Sequence, residues 1–327
     1  MSNIRTAPRI GMGCWAIGGM FWKGDLPVGY SGTNDKDSIA AVHAAWAAGV
    51  RVFDTSAVYG AGHSETLLGE ALNGREDAII VSKFGHSFDA KTKQMTGSKF
   101  DAEYIRNSVA QSRKRLKRDQ IDVMLLHLNA LPIDDAMSAF DTLEELRADG
   151  QIKAFGWSTD FPENVSAMAG REGFAAVQHV MNLFFDAPSL STAAEEHDLV
   201  QLIRSPLAMG ILTGNYSDGQ KVPDKDVRRI QDGDGDFFNG SSASETYVKQ
   251  LEAVRDLITV GGRSLTQGAL CWLLAKSPNT LPIPGAKNAA QAEENAGALV
   301  YGPLPADIMA EIEGVLKRPP EGAPRER

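Results

Sequence analysis

The chain has 327 residues, 43% of them hydrophobic and 23% charged, with 33 Lys and Arg against 42 Asp and Glu for a net charge of −9. This is the composition of a globular protein with a core of its own; it excludes a disordered, collagenous or coiled-coil chain, and its acidity disfavours a nucleic-acid partner. Two cysteines, Cys14 and Cys271, stand far apart; they form no disulfide framework and suit a reducing, cytoplasmic location. The first residues carry neither an apolar h-region nor a cleavage signature, so no secretory signal is expected. No run approaches the ~20 apolar residues that span a bilayer.

Residues 10–12 open a series of short apolar runs. Ile39, Val42 and Trp46 share one helical face, after Asn34 and Asp35 as caps and before Gly49 as a stop. Residues 50–53 read as a strand, Leu67, Leu68 and Leu72 as a second helix ended near Gly74, and residues 78–81 as a buried strand. Ile105, Val109 and Leu116 line a third helix. Lys114, Arg115, Lys117 and Arg118 crowd its last turns, where cations complement the helix dipole, so this charge run reads as a solvated helix end. Residues 121–126 form another strand; Ala136, Phe140 and Leu143 mark a fourth helix closed by Gly150; a strand follows at 152–155. Further strands read at 175–177, 199–203 and 281–283, with helical segments around 162–169, 189–197, 264–276 and 288–298.

Continuous apolar strands separated by amphipathic helices mean a parallel sheet covered on both faces. About eight strand–helix units without a Pro/Ser-rich linker predict a single (β/α)8 TIM barrel over residues 1–316, with a doubly wound open sheet as the alternative. Residues 317–327 mix Pro, Gly and charge and read as a flexible tail. After the seventh strand, between Gly210 and Glu245, Gly, Asp, Ser and Asn dominate without periodicity. A loop this long in a compact domain is functional or mobile, and a flap over the barrel mouth is expected.

Active sites of such barrels are built at the C-terminal ends of the strands. Asp54, Thr55, Ser56 and Tyr59 follow the second strand, Ser82 and Lys83 the third, and His127 the fourth. Ser158 and Thr159 follow the fifth, Gln178 the sixth, Arg204 and Ser205 the seventh, and Pro284, Gly285 and Lys287 the last. Consecutive strands are neighbours, so Asp54, Tyr59, Lys83 and His127 are expected to converge. A phenol titrates near ~10, too high for an efficient proton donor at neutral pH, and a nearby ammonium stabilises the phenolate. Asp54 would keep Lys83 charged and fixed, His127 would orient a substrate oxygen, and Tyr59 would protonate a developing alkoxide. None of the four supplies a hydride, so a cofactor is called for. Singly, each has a plainer reading: Asp54 a helix cap, Lys83 a surface residue, His127 a satisfied core histidine, Tyr59 a packing residue. Their recurrence at successive strand ends favours the catalytic one.

The run Phe53-Asp54-Thr55-Ser56-Ala57-Val58-Tyr59-Gly60, continued by Gly62-His63-Ser64-Glu65 and Leu68-Gly69, resembles the signature of the aldo-keto reductase family. So do Ser82-Lys83-Phe84-Gly85, Ile121-Asp122 through Leu126-His127, and Gly150-Gln151-Ile152-Lys153. Ser205-Pro206-Leu207-Ala208 with Gly210, and Ile283-Pro284-Gly285-Ala286-Lys287, extend the resemblance over residues 9 to about 300. It implies a (β/α)8 barrel that binds NADPH without a Rossmann domain and reduces small aldehydes or ketones, with a tetrad of Asp54, Lys83, His127 and Tyr59 as acid. By position it implies that Ser158 and Gln178 meet the nicotinamide carboxamide and that Ser205, Leu207 and Gly210 belong to the pyrophosphate loop. Lys287 would face the adenosine 2′-phosphate, and Gln291, Glu294 and Asn295 would lie on the adenine side. Trp15, Asp54, Arg204 and Gly285 complete the implied cofactor set. A cation just after a strand suits a phosphomonoester, and NADPH is favoured over NADH, although a Lys point charge is less selective than a bidentate Arg.

Three positions depart from the family pattern. Thr159 and Asp160 follow Ser158 where many relatives have Asn and then Phe. Arg204 replaces an aromatic that stacks on the nicotinamide, and a guanidinium also stacks. Leu128-Asn129-Ala130 replaces aromatic and acidic residues, which changes one substrate wall.

Other signals are rejected. Gly11-x-Gly13-x-x-Ala16 mimics a dinucleotide fingerprint, but Gly18, Gly19, Gly24 and Pro27 follow, and the motif must open a helix. A turn near the mouth fits better, with Trp15 and Trp22 as site walls or core residues. Asp232-Gly233-Asp234-Gly235-Asp236 mimics a calcium loop but has Phe237 and Ala243 where Gly and Glu are needed; a flexible acidic loop is expected. No Cys/His pair has zinc spacing, and no metal is expected. Two competing functions stay open: a non-catalytic NADPH-binding barrel serving as a redox sensor or regulatory subunit, and a metal-dependent barrel isomerase or hydrolase using Asp54 and His127.

Overall fold

Eight parallel strands form one sheet in chain order: β1 Met12–Gly13, β2 Val52–Asp54, β3 Ile79–Phe84, β4 Ile121–Leu126, β5 Ile152–Ser158, β6 Phe174–Val180, β7 Val200–Arg204 and β8 Thr280–Pro282. The computed structural model describes residues 3–217, 219–230 and 237–321. The sheet closes on itself, because Gly13 bridges Gly285 in parallel and the Gly11 and Gly13 amides donate to the carbonyls of Pro282 and Pro284 at 2.9 and 3.0 Å. Closure leaves no strand edge to satisfy. The barrel interior is filled by Val52, Val81, Val123, Leu125, Ala176, Leu202 and Ile283, all buried. Branched side chains on alternate positions pack such an interior without a pore.

Helices α1 Asp35–Ala47, α2 His63–Ala71, α3 Ala102–Leu116, α4 Ile133–Ala148, α5 Pro162–Met168 and α6 Pro188–Glu196 cover the first six units. Asn34 and Asp101 cap α1 and α3, accepting the amides of Asp37 and Tyr104 at 3.0 Å each. Helices α7 Glu245–Ile258, α8 Leu265–Lys276, α9 Ala289–Ala296, α10 Ala298–Tyr301 and α11 Ala306–Val315 complete the shell, and Ser264 with Gln267 forms a capping box on α8. The periodicity of α7 and α11 escaped the sequence reading. The basic run closing α3 is only partly a solvated end: Arg115 Nε donates at 2.7 Å to the fully buried Glu65.

Two connections at the mouth carry short strands absent from the sequence-based expectation. Leu26–Pro27, Trp22–Lys23, Gln94–Ser98 and His86–Asp89 line up in that order as a second sheet, built from the loops after β1 and β3. The connection after β7 holds 3-10 turns at Ala208–Thr213 and Val227–Arg229 and a hairpin of Phe238–Asn239 with Ser242–Ala243. It is tied to the loop after β1, where the Val227 amide donates to Gly29 O at 3.0 Å. The acidic run Asp232–Asp236 lies outside the described residues. Of the segment read as a tail, Arg318 Nε donates to Leu183 O at 2.8 Å and Glu321 receives the Ser189 amide at 3.0 Å; residues 322–327 lie outside the described residues. Among the described residues no helix is long and apolar enough to cross a membrane.

Candidate active site

Strand register brings the first site residues together. Asp54, the last residue of β2, pairs with Val81 of β3, and Lys83 stands two residues further with the same side-chain sense. The fully buried Lys83 Nζ donates to Asp54 Oδ1 at 2.6 Å and to Thr55 O at 2.7 Å, and reaches Tyr59 OH at 3.4 Å. Burial opposes the ammonium, but the charge of Asp54, the phenol of Tyr59 and their hydrogen bonds outweigh it and raise the Lys83 pKa.

Tyr59 is placed by backbone as much as by side-chain contacts. Gly60 has φ +62°, and a Cβ there would lie 2.0 Å from Gly18 O, so the turn after Tyr59 packs directly on the turn after β1. Trp15 stacks on the Tyr59 ring at 5.8 Å, and His127 meets it edge-on at 5.9 Å. His127 follows β4, and its Nδ1 pairs with Ser56 Oγ at 3.2 Å. The sequence-predicted tetrad is thus gathered at one end of the barrel.

Two further predicted residues join it. Gln178, at the mouth end of β6 and 1% exposed, donates from Nε2 to Asp54 Oδ2 at 2.7 Å. Ser158 Oγ contacts Gln178 Oε1 at 3.5 Å. A chain of polar contacts therefore runs Ser158–Gln178–Asp54–Lys83–Tyr59.

The departures at Asp160 and Arg204 explain each other, because the two side chains form an ion pair across β6. Asp160 Oδ1 also accepts the Val180 amide at 2.9 Å. Thr159 is buried and turned away, its hydroxyl donating to Asn129 O at 2.9 Å and receiving Asn164 Nδ2 at 3.0 Å. Asn129 Oδ1 accepts the Asp160 amide at 2.7 Å, so it serves the loop scaffold.

The loop after β7 is held in an unusual conformation. Ser205, Ala208, Met209 and Gly210 all have positive φ, three of them without glycine's freedom. Leu207 O accepts the Gly210 amide at 2.9 Å, and buried Asn182 donates to Ser205 O at 3.1 Å. Asn182 had no sequence signal, since a lone Asn after a strand reads as a turn.

Lys287 forms a second centre. Its Nζ donates to Ser31 O at 2.9 Å, lies 3.9 Å from Asp226 and stands 5.1 Å from the Tyr30 ring centroid. Asp226 is already engaged: both its oxygens bind Arg228, and Oδ2 also accepts the Ser31 amide at 3.1 Å. Burial and the charge of Arg228 together pull the Lys287 pKa down to about 8. Arg228 also donates to Tyr216. Asp226, Arg228, Tyr30 and Ser31 were not anticipated, because residues almost 200 apart in sequence share no local pattern. On α9, Asn295 donates to Gly285 O at 3.1 Å and Gln291 accepts the Lys287 amide at 2.8 Å. Glu294 is committed to the start of α8, where Ser264 donates to it.

A sequence profile described as "Aldo/keto reductase family" matches residues 9–317. The aldo-keto reductase yakc [NADP(+)] of Schizosaccharomyces pombe is 28% identical, over 90% of this chain and 84% of its own length. The NADH-specific methylglyoxal reductase of Escherichia coli is 27% identical, over 96% and 97%. Among solved structures, the glycerol dehydrogenase AKR11B4 from Gluconobacter oxydans is similar with a TM-score of 0.79 at 28% identity, covering 94% of this chain and 91% of that one.

Proposed function

The chain belongs to the aldo/keto reductase family, and from that premise we propose that it reduces an aldehyde or ketone with NADPH, Tyr59 acting as the general acid. The observation that carries the reading is the unbroken contact chain Ser158–Gln178–Asp54–Lys83–Tyr59. It couples the residues suited to a carboxamide directly to the residues suited to proton transfer.

The residues fit the dinucleotide. Ser158 and Gln178 offer a hydroxyl and an amide at adjacent strand ends, which is the donor and acceptor set a carboxamide needs. The loop at 205–210, with positive φ at Ser205, Ala208, Met209 and Gly210, is the kind of turn whose amides can take an anion. Among the described residues the carboxylate near Lys287, Asp226, is already engaged by Arg228, which leaves the ammonium suited to a 2′-phosphate. Arg204, held in place by Asp160, offers a flat guanidinium where relatives offer an aromatic ring. When bound, the reduced nicotinamide supplies the hydride.

The chain's own groups do the rest. His127, its ring braced by Ser56, donates to the carbonyl oxygen and aligns it with the Tyr59 hydroxyl. Tyr59 gives its proton to that oxygen as negative charge builds there. Lys83 takes up the charge left on the phenol oxygen, and Asp54 keeps Lys83 ionised and directed at it. Trp15, stacked on Tyr59, excludes water from one side. The connection after β7, latched to the loop after β1, serves as the flap over the mouth.

The test is a fluorescence titration with NADPH and NADH, followed by absorbance at the reduced nicotinamide with a panel of aldehydes and ketones. Tighter NADPH binding with oxidation on carbonyl addition bears the reading out. Binding without turnover on any carbonyl transfers the case to a redox sensor, and binding of neither nucleotide overturns it.

A further inference from the structure

A carboxylate at the start of α2 and a cation from the basic run that closes α3 meet behind the proposed reacting centre. Glu65 lies in the first turn of α2, just past the turn that carries Tyr59, and is fully buried. One of its oxygens accepts the hydroxyl of Ser82, and the other accepts Arg115 Nε at 2.7 Å. Arg115 reaches it from the end of α3 and retains 22% exposure. The same side chain covers Gly62, the residue before α2, where a Cβ would lie 3.0 Å from Arg115 Cδ.

These contacts lead to both members of the proposed proton-transfer pair. Side chains alternate along β3, so Ser82 faces α2 while Lys83, beside it, faces the barrel interior. The segment that carries Tyr59 is tied to these two residues on either side. Before Tyr59, the Ala57 amide donates to Lys83 O at 3.3 Å; after it, Glu65 accepts from Ser82. The turn between is closed by the Ser64 amide, which donates to Tyr59 O at 3.2 Å, and by Ser64 Oγ, which donates to Cys14 O at 2.7 Å. Lys83 meets Asp54 and Thr55 O at the end of β2 itself, but its 3.4 Å approach to Tyr59 OH depends on where this turn sits. A buried ion pair is a costly way to join two helices, since apolar side chains of similar volume do so without desolvating charge.

We propose that Glu65, directed by Arg115, is a positioning residue for proton transfer: through Ser82 it holds α2 and the turn before it against β3, and so sets the approach of Tyr59 to Lys83. It lies outside the barrel wall and acts through these residues, not on the substrate. The inference rests on the reductase reading with Tyr59 as acid and adds the groups that place the acid. A misplacement of about 1 Å can cost about 10²-fold in rate, so a brace remote from the reacting atoms carries a measurable share of turnover.

The experiment compares the wild-type chain with the triple variant Glu65→Leu, Arg115→Met, Ser82→Ala, which replaces the brace by apolar side chains. Replacing a buried ion pair in this way commonly leaves stability near that of the parent. The triple variant is expected to unfold in urea near the wild-type midpoint and to bind NADPH within about twofold of the wild type. Its single-turnover rate of NADPH oxidation by methylglyoxal, an activated carbonyl, is expected to fall by about tenfold. The solvent deuterium isotope effect on that rate is expected to rise, because proton transfer is the step disturbed. Glu65→Gln with Arg115→Met keeps an acceptor for Ser82 and is expected to recover most of the rate; no recovery overturns the inference. An unchanged rate and isotope effect in the folded triple variant reveals a brace of the fold alone and overturns it. So does a rate loss matched by an equal loss of NADPH affinity. Should the triple variant not fold, Ser82→Ala, which removes the link to β3 and no charge, is expected to slow the single turnover by about threefold, and an unchanged rate there overturns the inference. A wild-type chain that oxidises NADPH with neither methylglyoxal nor any other carbonyl overturns the reductase reading, and this inference with it.

Discussion

Asp160 and Arg204, 44 residues apart, form an ion pair at the barrel mouth that spans the strand lying between their own. The side chains retain 19% and 11% exposure, so each charge is largely removed from water and depends on the other. Removing one partner of such a pair costs more than the pair contributes net, because the remaining charge is stranded. Asp160→Asn and Arg204→Leu are each expected to lower stability by about 3 kcal/mol in urea unfolding. The double variant Asp160→Asn with Arg204→Leu is expected to be less destabilised than the sum of the two single losses. Additive losses in that cycle would show that the two residues act separately.

Tyr59→Phe removes only an oxygen, from a ring held by Trp15 and His127. Turnover is expected to fall by about 10²–10⁴. The dissociation constant for NADPH should stay within about twofold. Unchanged turnover would discard Tyr59 as the acid.

Gly60 is a position where side-chain chemistry is irrelevant and space decides. Its φ is +62°, and an added Cβ would sit 2.0 Å from Gly18 O. Gly60→Ala therefore strains the turn and pushes the two loops apart. A loss of about 2 kcal/mol or more is expected. Because Tyr59 is the preceding residue, kcat should fall as well in the fraction that remains folded. Full activity in a folded Gly60→Ala variant would show that Tyr59 is positioned independently of this contact.

Lys287 is lowered to about 8, first by burial and then by Arg228. Below that value it is a cation and above it the charge is lost. NADPH affinity is therefore expected to be highest between about pH 6, where a phosphomonoester loses its second proton, and pH 8. It should fall on both sides, while NADH affinity stays flat over the same range. Lys287→Met is expected to remove the alkaline limb and the preference for NADPH together. A pH-independent preference in the wild-type chain would assign 2′-phosphate recognition elsewhere, with Arg228 the nearest alternative.

Much of the barrel was legible in the chain. Residues 121–126 coincide with β4 to the residue, because a strand buried on both faces is apolar at nearly every position; its one polar residue, Asp122, accepts the Ile80 amide at 2.8 Å and Lys153 Nζ at 2.6 Å. The helices α7 and α11 and the two-residue strands of the second sheet were missed. The former follow glycine-rich or proline-bounded segments, and the latter are too short for a period to register.

The sequence by itself determined the alternation of strands and helices and the residues standing at each strand end, because both depend on local pattern, and its motifs carried the resemblance to the family; the order of the strands in the sheet came from the structure. Asp54 and Lys83 could be paired on paper, since neighbouring strands in a parallel barrel leave few choices of register. Only the tertiary structure decided that Asp160 holds Arg204, that Asp226 binds Arg228 beside Lys287, and that His86 stands beside His127. These contacts join loops and strand ends that are distant in sequence. Their geometry comes from closure of the barrel, which brings the ends of all eight strands to one mouth, whatever their distance along the chain.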